Sequence, residues 1–193
     1  MNPAIALPEA PARRRRGRWQ LILLIAVVVG PMLLASGMYH WRFWVPDGRS
    51  YHGELIGNGL GRTDIGVTAA DEHLWQLLVT APQDCAQKCQ QLVYLARQIH
   101  IGLGREASRA GHALANARPL DDDFATRLER EYPQLQRYGL DADAYARGTH
   151  DLGGAQLWIV DPHGNLVLRY DAKANGKQIL NDLRHLLKLS KIG

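Results

Sequence analysis

Trp75-Gln76-Leu77-Leu78-Val79-Thr80-Ala81-Pro82-Gln83-Asp84-Cys85-Ala86-Gln87-Lys88-Cys89 is the stretch that decides the fold. Residues 75–80 are a short apolar run, which reads as a buried strand. Ala81-Pro82-Gln83-Asp84 breaks it, and Asp84 stands where a helix N-cap is wanted. From about Cys85 to Ile101 apolar residues recur at helical spacing: Cys89, Leu92, Val93, Leu95, Ala96 and Ile99. The stretch is therefore strand, turn and helix, with the only two cysteines of the 193-residue chain at the helix start.

Downstream, Gly102 and Gly104 end the helix. Arg109 to Ala117 is Ala-rich, with poor periodicity, and could be a strand. Asp121-Asp122-Asp123 opens a second helix, with acids at the positive end of its dipole. Phe124, Leu128, Tyr132 and Leu135 continue it at helical spacing, and Pro133 shortens or kinks it. Ala155 to Val160 and Leu166 to Tyr170 form a β-hairpin around Asp161-Pro162-His163-Gly164-Asn165, a turn with Pro and Gly where turns favour them. Gln178 to Leu189 is an amphipathic helix, with Ile179, Leu180, Leu183, Leu186 and Leu187 on its apolar side. Strands alternating with helices argue for an α/β domain. A first strand feeding a cysteine-bearing helix, with a late hairpin and a terminal helix, is the thioredoxin-like arrangement.

Upstream, residues 45–73 are rich in Gly and turn formers, such as Pro46-Asp47-Gly48 and Gly57-Asn58-Gly59. They read as a juxtamembrane tether, drawn here as 40–73. Trp19 to Tyr39 carries no charge, and about 20 residues at 1.5 Å each span a hydrocarbon core of about 30 Å. A signal peptide has a shorter apolar region. Tyr39, Trp41, Phe43 and Trp44 resemble the aromatic belt of a retained helix. Gly30-Pro31 is expected to kink it. Arg13, Arg14, Arg15, Arg16 and Arg18 precede the span, and only Arg42 closely follows it. The positive-inside rule then puts the N-terminus in the cytoplasm and the domain in the periplasm. The expected organisation is a basic arm (1–18), a transmembrane helix (19–39), the tether, and a thioredoxin-like domain (74–193).

Charge excludes one function class. Residues 1–44 hold six Arg and one acid, Glu9, or +5. The remaining 149 residues hold 17 basic and 18 acidic side chains, or −1. The basicity belongs to the arm, so the domain lacks the basic balance of a nucleic-acid binder. The chain has no P-loop, no dinucleotide fingerprint and no Ser-His-Asp set.

Cys85 and Cys89 carry the chemistry. On a helix, positions i and i+4 share a face with Cβ atoms roughly 5–6 Å apart. A small shift would allow a disulfide. Alternatively both thiolates could hold one soft ion, Cu(I) being the one thiolates select. A helix N-terminus supplies thiolate for either use. An inert structural bridge is the rival, but so short a loop stabilises little. His150, in the loop entering the strand at Ala155, is the candidate third ligand, because in a thioredoxin-like fold that loop faces the first helix. His163 and His185 read as solvated, His40 and His52 lie near the membrane, and His100 and His112 are less well placed.

These residues resemble the SCO family of copper chaperones and thiol-redox proteins of cytochrome c oxidase assembly. The resemblance rests on the anchor, on Trp75–Thr80 before Cys85-x-x-x-Cys89, and on Leu157-Trp158-Ile159-Val160-Asp161-Pro162-His163-Gly164. The whole chain is similar to small membrane proteins that accompany cytochrome oxidase genes in proteobacteria. The resemblance implies copper as cofactor or cargo at Cys85, Cys89 and His150. It implies the copper-bearing subunit of a terminal oxidase as partner. It implies thiol–disulfide exchange at the same pair if no metal is involved. The family usually has Pro after the second cysteine, where this chain has Gln90, and its distal His lies closer to the hairpin turn than His150.

Overall fold

The computed structural model describes residues 13–41, 51–57, 59–68, 73–150 and 152–190. Two compact units result, Met1–Arg49 and Ser50–Gly193. The first is one helix, α1 (Arg13–Trp41), with Pro31 inside it. Its 22-residue stretch Gly17–Met38 is long and apolar enough to cross a membrane, and none of it is buried. Phe43 and Trp44 of the expected belt, and Pro46-Asp47-Gly48, lie outside the described residues.

The second unit is built on a seven-stranded sheet in the order β1-β7-β6-β3-β4-β5-β2. The strands are β1 (Glu54–Leu55), β2 (Val67–Thr68), β3 (Trp75–Ala81), β4 (Ala110–Asn116), β5 (Leu135–Leu140), β6 (Gln156–Val160) and β7 (Leu166–Tyr170). β3, β4 and β5 run parallel, and β6 and β7 form the antiparallel hairpin beside β3. The strand expected at Trp75 is thus central and buried along its whole length, as its unbroken apolar run requires.

Helices cover both faces. α2 (Gln87–Gly102), α3 (Asp122–Glu131) and α5 (Gly176–Leu189) pack on one face, over Leu77, Val79, Leu114, Leu157 and Ile159. α4 (Ala142–Gly148) and the turn at Ile65 cover the other, over Leu78, Ala113, Trp158 and Val160. The 3-10 helix Gly104–Arg109 joins α2 to β4.

The Ala-rich segment, which the sequence allows as a strand, is a full central one, β4. Two other elements depart from the sequence reading. Leu135 begins β5 rather than ending a helix, because Tyr132 leaves helical geometry and Pro133 cannot donate to a helix ladder. Part of the expected tether belongs to the sheet: β1 pairs with β7 and β2 with β5, so residues 54–68 supply both edges. Gly53 allows the approach to β7, since a Cβ there would lie 2.6 Å from the Tyr170 ring. That segment is fixed by Asp182, which is buried and accepts from the His52 and Gly53 amides (2.7 and 3.2 Å), the His52 ring (2.9 Å) and the Tyr170 hydroxyl (2.7 Å).

Candidate functional site

Cys85 and Cys89 form a disulfide, with Cα atoms 5.0 Å apart. They are not an i, i+4 pair on one helix. α2 begins at Gln87, two residues later than the sequence suggests, and Cys85 lies in the loop from β3. Asp84 is not the cap: Ala86 turns its amide back to the Asp84 carbonyl (2.8 Å), and the Asp84 carboxylate faces Arg118 at 3.4 Å on the surface. The N-cap is Ala86, which has no side chain to cap with, and the first turn holds no acid. The amide dipoles at this end therefore remain uncompensated by any protein carboxylate of the turn, the condition that stabilises an adjacent thiolate.

The two sulfurs have different surroundings. Cys89 is 2% exposed, in the core beside Leu92 and Val93, whereas Cys85 is only partly buried against the same cluster. Solvent and a partner thiol reach Cys85 first. Lys88 is exposed on the first turn. Gln90 donates from its carboxamide to the Cys85 carbonyl (3.2 Å) and accepts from Arg127 on α3 (3.1 Å). The chain thus has a polar link from the second helix to the cysteine loop, where the resembled family has proline. Arg127 is 37 positions from Gln90, so only the packing of α3 beside α2 reveals the link.

β6 runs antiparallel to β3, with Gln156 opposite Thr80, so the loop before β6 does return to the cysteine end of the sheet, as expected. His150 nevertheless lines a cavity of about 300 Å³ with Thr149, Leu152, Trp158, Leu166 and Arg169. Trp158 and Leu166 belong to the core on the α4 face, while Cys89 belongs to the α2 face. The structure brings Cys85 and Cys89 together and leaves His150 on the other side of the sheet. Its left-handed backbone (φ 50°) accompanies that turn away. Among the described residues no three His, Cys, Asp or Glu side chains gather in a metal-holding group. On reduction, the donors at the pair are its two sulfurs. That set fits Cu(I), which soft thiolates select, and does not fit a three-ligand site completed by His150.

Beneath the loop, Thr80 accepts from the Trp158 indole (2.9 Å) and bonds the Tyr145 hydroxyl (3.0 Å). Burial pushes the Tyr145 phenol above its ordinary range, so at neutral pH this network holds its protons.

Residues 75–190 match the family described as transmembrane-like, thioredoxin-like, C-terminal domain. Residues 11–42 match its transmembrane-like N-terminal domain. No curated protein matches the sequence. Among solved structures, the domain is similar to Arabidopsis thaliana ScoI with copper bound, at 11% identity and a TM-score of 0.50, covering 62% of this chain and 88% of that one. Apo Sco1 from Thermus thermophilus aligns at 14% identity and a TM-score of 0.47, covering 70% and 96%. The thioredoxin domain of a thiol-disulfide oxidoreductase from Bacteroides vulgatus aligns at 13% and 0.44, covering 69% and 90%. The likeness to the plant protein is one of fold. With one apolar N-terminal helix and a thioredoxin-like domain carrying a disulfide at the start of its first domain helix, the chain belongs to the transmembrane-like, thioredoxin-like family.

Proposed function

We propose that this protein is a membrane-anchored thiol–disulfide factor that works through Cys85 and Cys89 on the non-cytoplasmic side of the membrane. The observation that carries the reading is the asymmetry of the pair: a partly exposed Cys85 before an uncapped helix N-terminus, and a buried Cys89 behind it. In the reduced protein, the Cys85 thiolate attacks a client disulfide. A Cys85–client bond forms, and one client sulfur leaves as thiolate. Cys89 then attacks the Cys85 sulfur, the Cys85–Cys89 bond forms, and the second client thiolate is released. The client gains two electrons, and a membrane dithiol donor restores the reduced pair.

The client we propose is the copper-bearing subunit of a terminal oxidase, whose metal-binding cysteines must be reduced before loading. Its support is the sequence resemblance together with the shared fold. The same two thiolates could pass Cu(I) to that client, the donor set being suited to it. The side of the membrane rests on the five Arg residues before the span.

The test uses full-length protein in detergent. Cys89→Ser leaves the attacking sulfur without its resolving partner and is expected to accumulate a mixed disulfide with a client-derived cysteine peptide. Cys85→Ser is expected to accumulate none. Anaerobic Cu(I) titration against a competing chelator separates the cargo reading, which predicts one equivalent bound by the reduced protein and loss in either variant. Equal trapping by both variants, or none, would contradict the assigned order of attack.

A further inference from the structure

The far end of α2 from the disulfide carries a second set of chemical groups that thiol exchange does not use. A cavity of about 250 Å³ opens there, lined by Arg97, His100, Ile101, His112, Tyr132 and Gln134. His112 is 2% exposed, on β4 between Leu77 of β3 and Leu135 of β5. Neither of its ring nitrogens has a hydrogen-bond partner. A neutral imidazole has one donor and one acceptor, and each left unmet in a core costs about 1–3 kcal/mol. Native interiors seldom leave both unmet without a ligand or solvent in the space.

The neighbouring ring narrows the choice of ligand. His100 Nε2 lies 3.1 Å from the Ala107 carbonyl. A carbonyl only accepts, so Nε2 carries the proton, and in the neutral ring Nδ1 is left with the lone pair. A backbone carbonyl fixing the tautomer in this way is the usual support of a metal-ligating histidine. The His100 and His112 ring centroids are 4.9 Å apart. The ring planes are 35° apart; with a metal–nitrogen bond of about 2.0–2.1 Å, an ion held in the plane of both rings would sit about 3 Å from each centre, and rings at the observed spacing would subtend roughly 100° at it. That is near tetrahedral, whereas a linear two-histidine site needs centres about 6 Å apart.

Arg97 is the cation that lines the cavity. The Arg97 guanidinium lies 5.1 Å over the Tyr132 ring, where the aromatic face offsets part of its charge. His100 stands in the last turn of α2, where the helix dipole favours a cation.

We propose that His100 and His112 form a second site, separate from the cysteines, for a divalent transition-metal ion of the kind imidazole prefers, with solvent completing the tetrahedron. Along α2 it lies 11 residues from Cys89, about 16 Å at 1.5 Å per residue. The site can therefore be occupied while the cysteines remain bridged.

The test uses full-length, untagged protein in detergent micelles with the disulfide intact, so that no thiolate competes. Zn²⁺ is titrated calorimetrically, and imidazole resonances are followed by NMR. One equivalent is expected to bind, shifting the His100 and His112 ring signals. His112→Gln and His100→Gln should each abolish binding, and His163→Gln, in the exposed hairpin turn, should not. His100 is less buried than His112, so His100→Gln keeps the test valid if His112→Gln fails to fold. Retained one-to-one Zn²⁺ binding in folded His100→Gln would overturn the proposal. So would wild-type rings that ignore Zn²⁺ but shift with inorganic phosphate, or with neither, which would mark an anion or water pocket.

Discussion

Gln90 holds the cysteine loop and the second domain helix together, donating to the Cys85 carbonyl and accepting from Arg127. A proline could supply neither bond, so the residue does something different from its counterpart in the resembled family. Replacing it, as in Gln90→Ala, frees the guanidinium and loosens the loop. The expected result is a stability loss of about 1 kcal/mol and a higher Cys85 thiol pKa, read from the pH dependence of alkylation. An unchanged alkylation profile would show that Arg127 does not act on the sulfur through Gln90. The cysteines were legible in the sequence because a strand, a break and a helix start surround them in order. His150 was not. Its loop does return to the cysteine end, but which face of the sheet the loop follows depends on α4 packing over Trp158, and no local pattern encodes that. The His100–His112 pair was unreadable for a similar reason: its members sit on different elements, and only the packing of α2 beside β4 brings the rings together.

At the scale of elements, the start of α2 goes without a side-chain cap, and on the proposed function this forgoes stability and favours thiolate at Cys85. Ala86 has extended backbone, with φ −73° and ψ −174°, which suits a capping residue. Ala86→Asp should stabilise the domain by about 1 kcal/mol. The same carboxylate would oppose the helix dipole and raise the Cys85 thiol pKa, slowing exchange with a small-molecule disulfide. A stability gain with unchanged exchange would mean the dipole does not activate the sulfur. β3, the hairpin and α5 could be read because their apolar runs or stripes are long. β4 could be read only as a possible strand because Ala113 and Ala115 face the side where Trp158 and Tyr145 supply the bulk, so the strand needs no large side chain of its own there. α4 is only seven residues long, and its start signal, Asp141 accepting from Asp143 and Ala144, is shared with an ordinary turn.

Across the domain, Asp182 ties the segment after the anchor to the last strand and the last helix. Burial pushes its carboxyl up, but bonds from the His52 and Tyr170 side chains, and from the His52 and Gly53 amides, outweigh this and hold the pKa below the ordinary range. The sign follows. The native state binds a proton less readily than the unfolded chain, so the stabilisation is present above the usual carboxylate pKa and is lost as pH falls through the lowered native value. Asp182→Ala strands four donors and is expected to cost about 3–5 kcal/mol. Asp182→Asn should flatten this part of the acid limb of a stability–pH curve, and an acid limb identical to wild type would assign that limb to other groups. On the proposed function, an anchor helix of this kind would hold the domain near a membrane surface and raise its local concentration at an integral-membrane client.

The central claim is that Cys85–Cys89 is a working redox pair rather than a structural bridge, and its equilibrium potential tests this most directly. Full-length protein in detergent is equilibrated with glutathione buffers, and the dithiol and disulfide fractions are counted after acid quench and alkylation. The account predicts a potential of about −120 to −270 mV, the range of exchanging thioredoxin-fold pairs. A potential below about −300 mV would mark an inert bridge and contradict it.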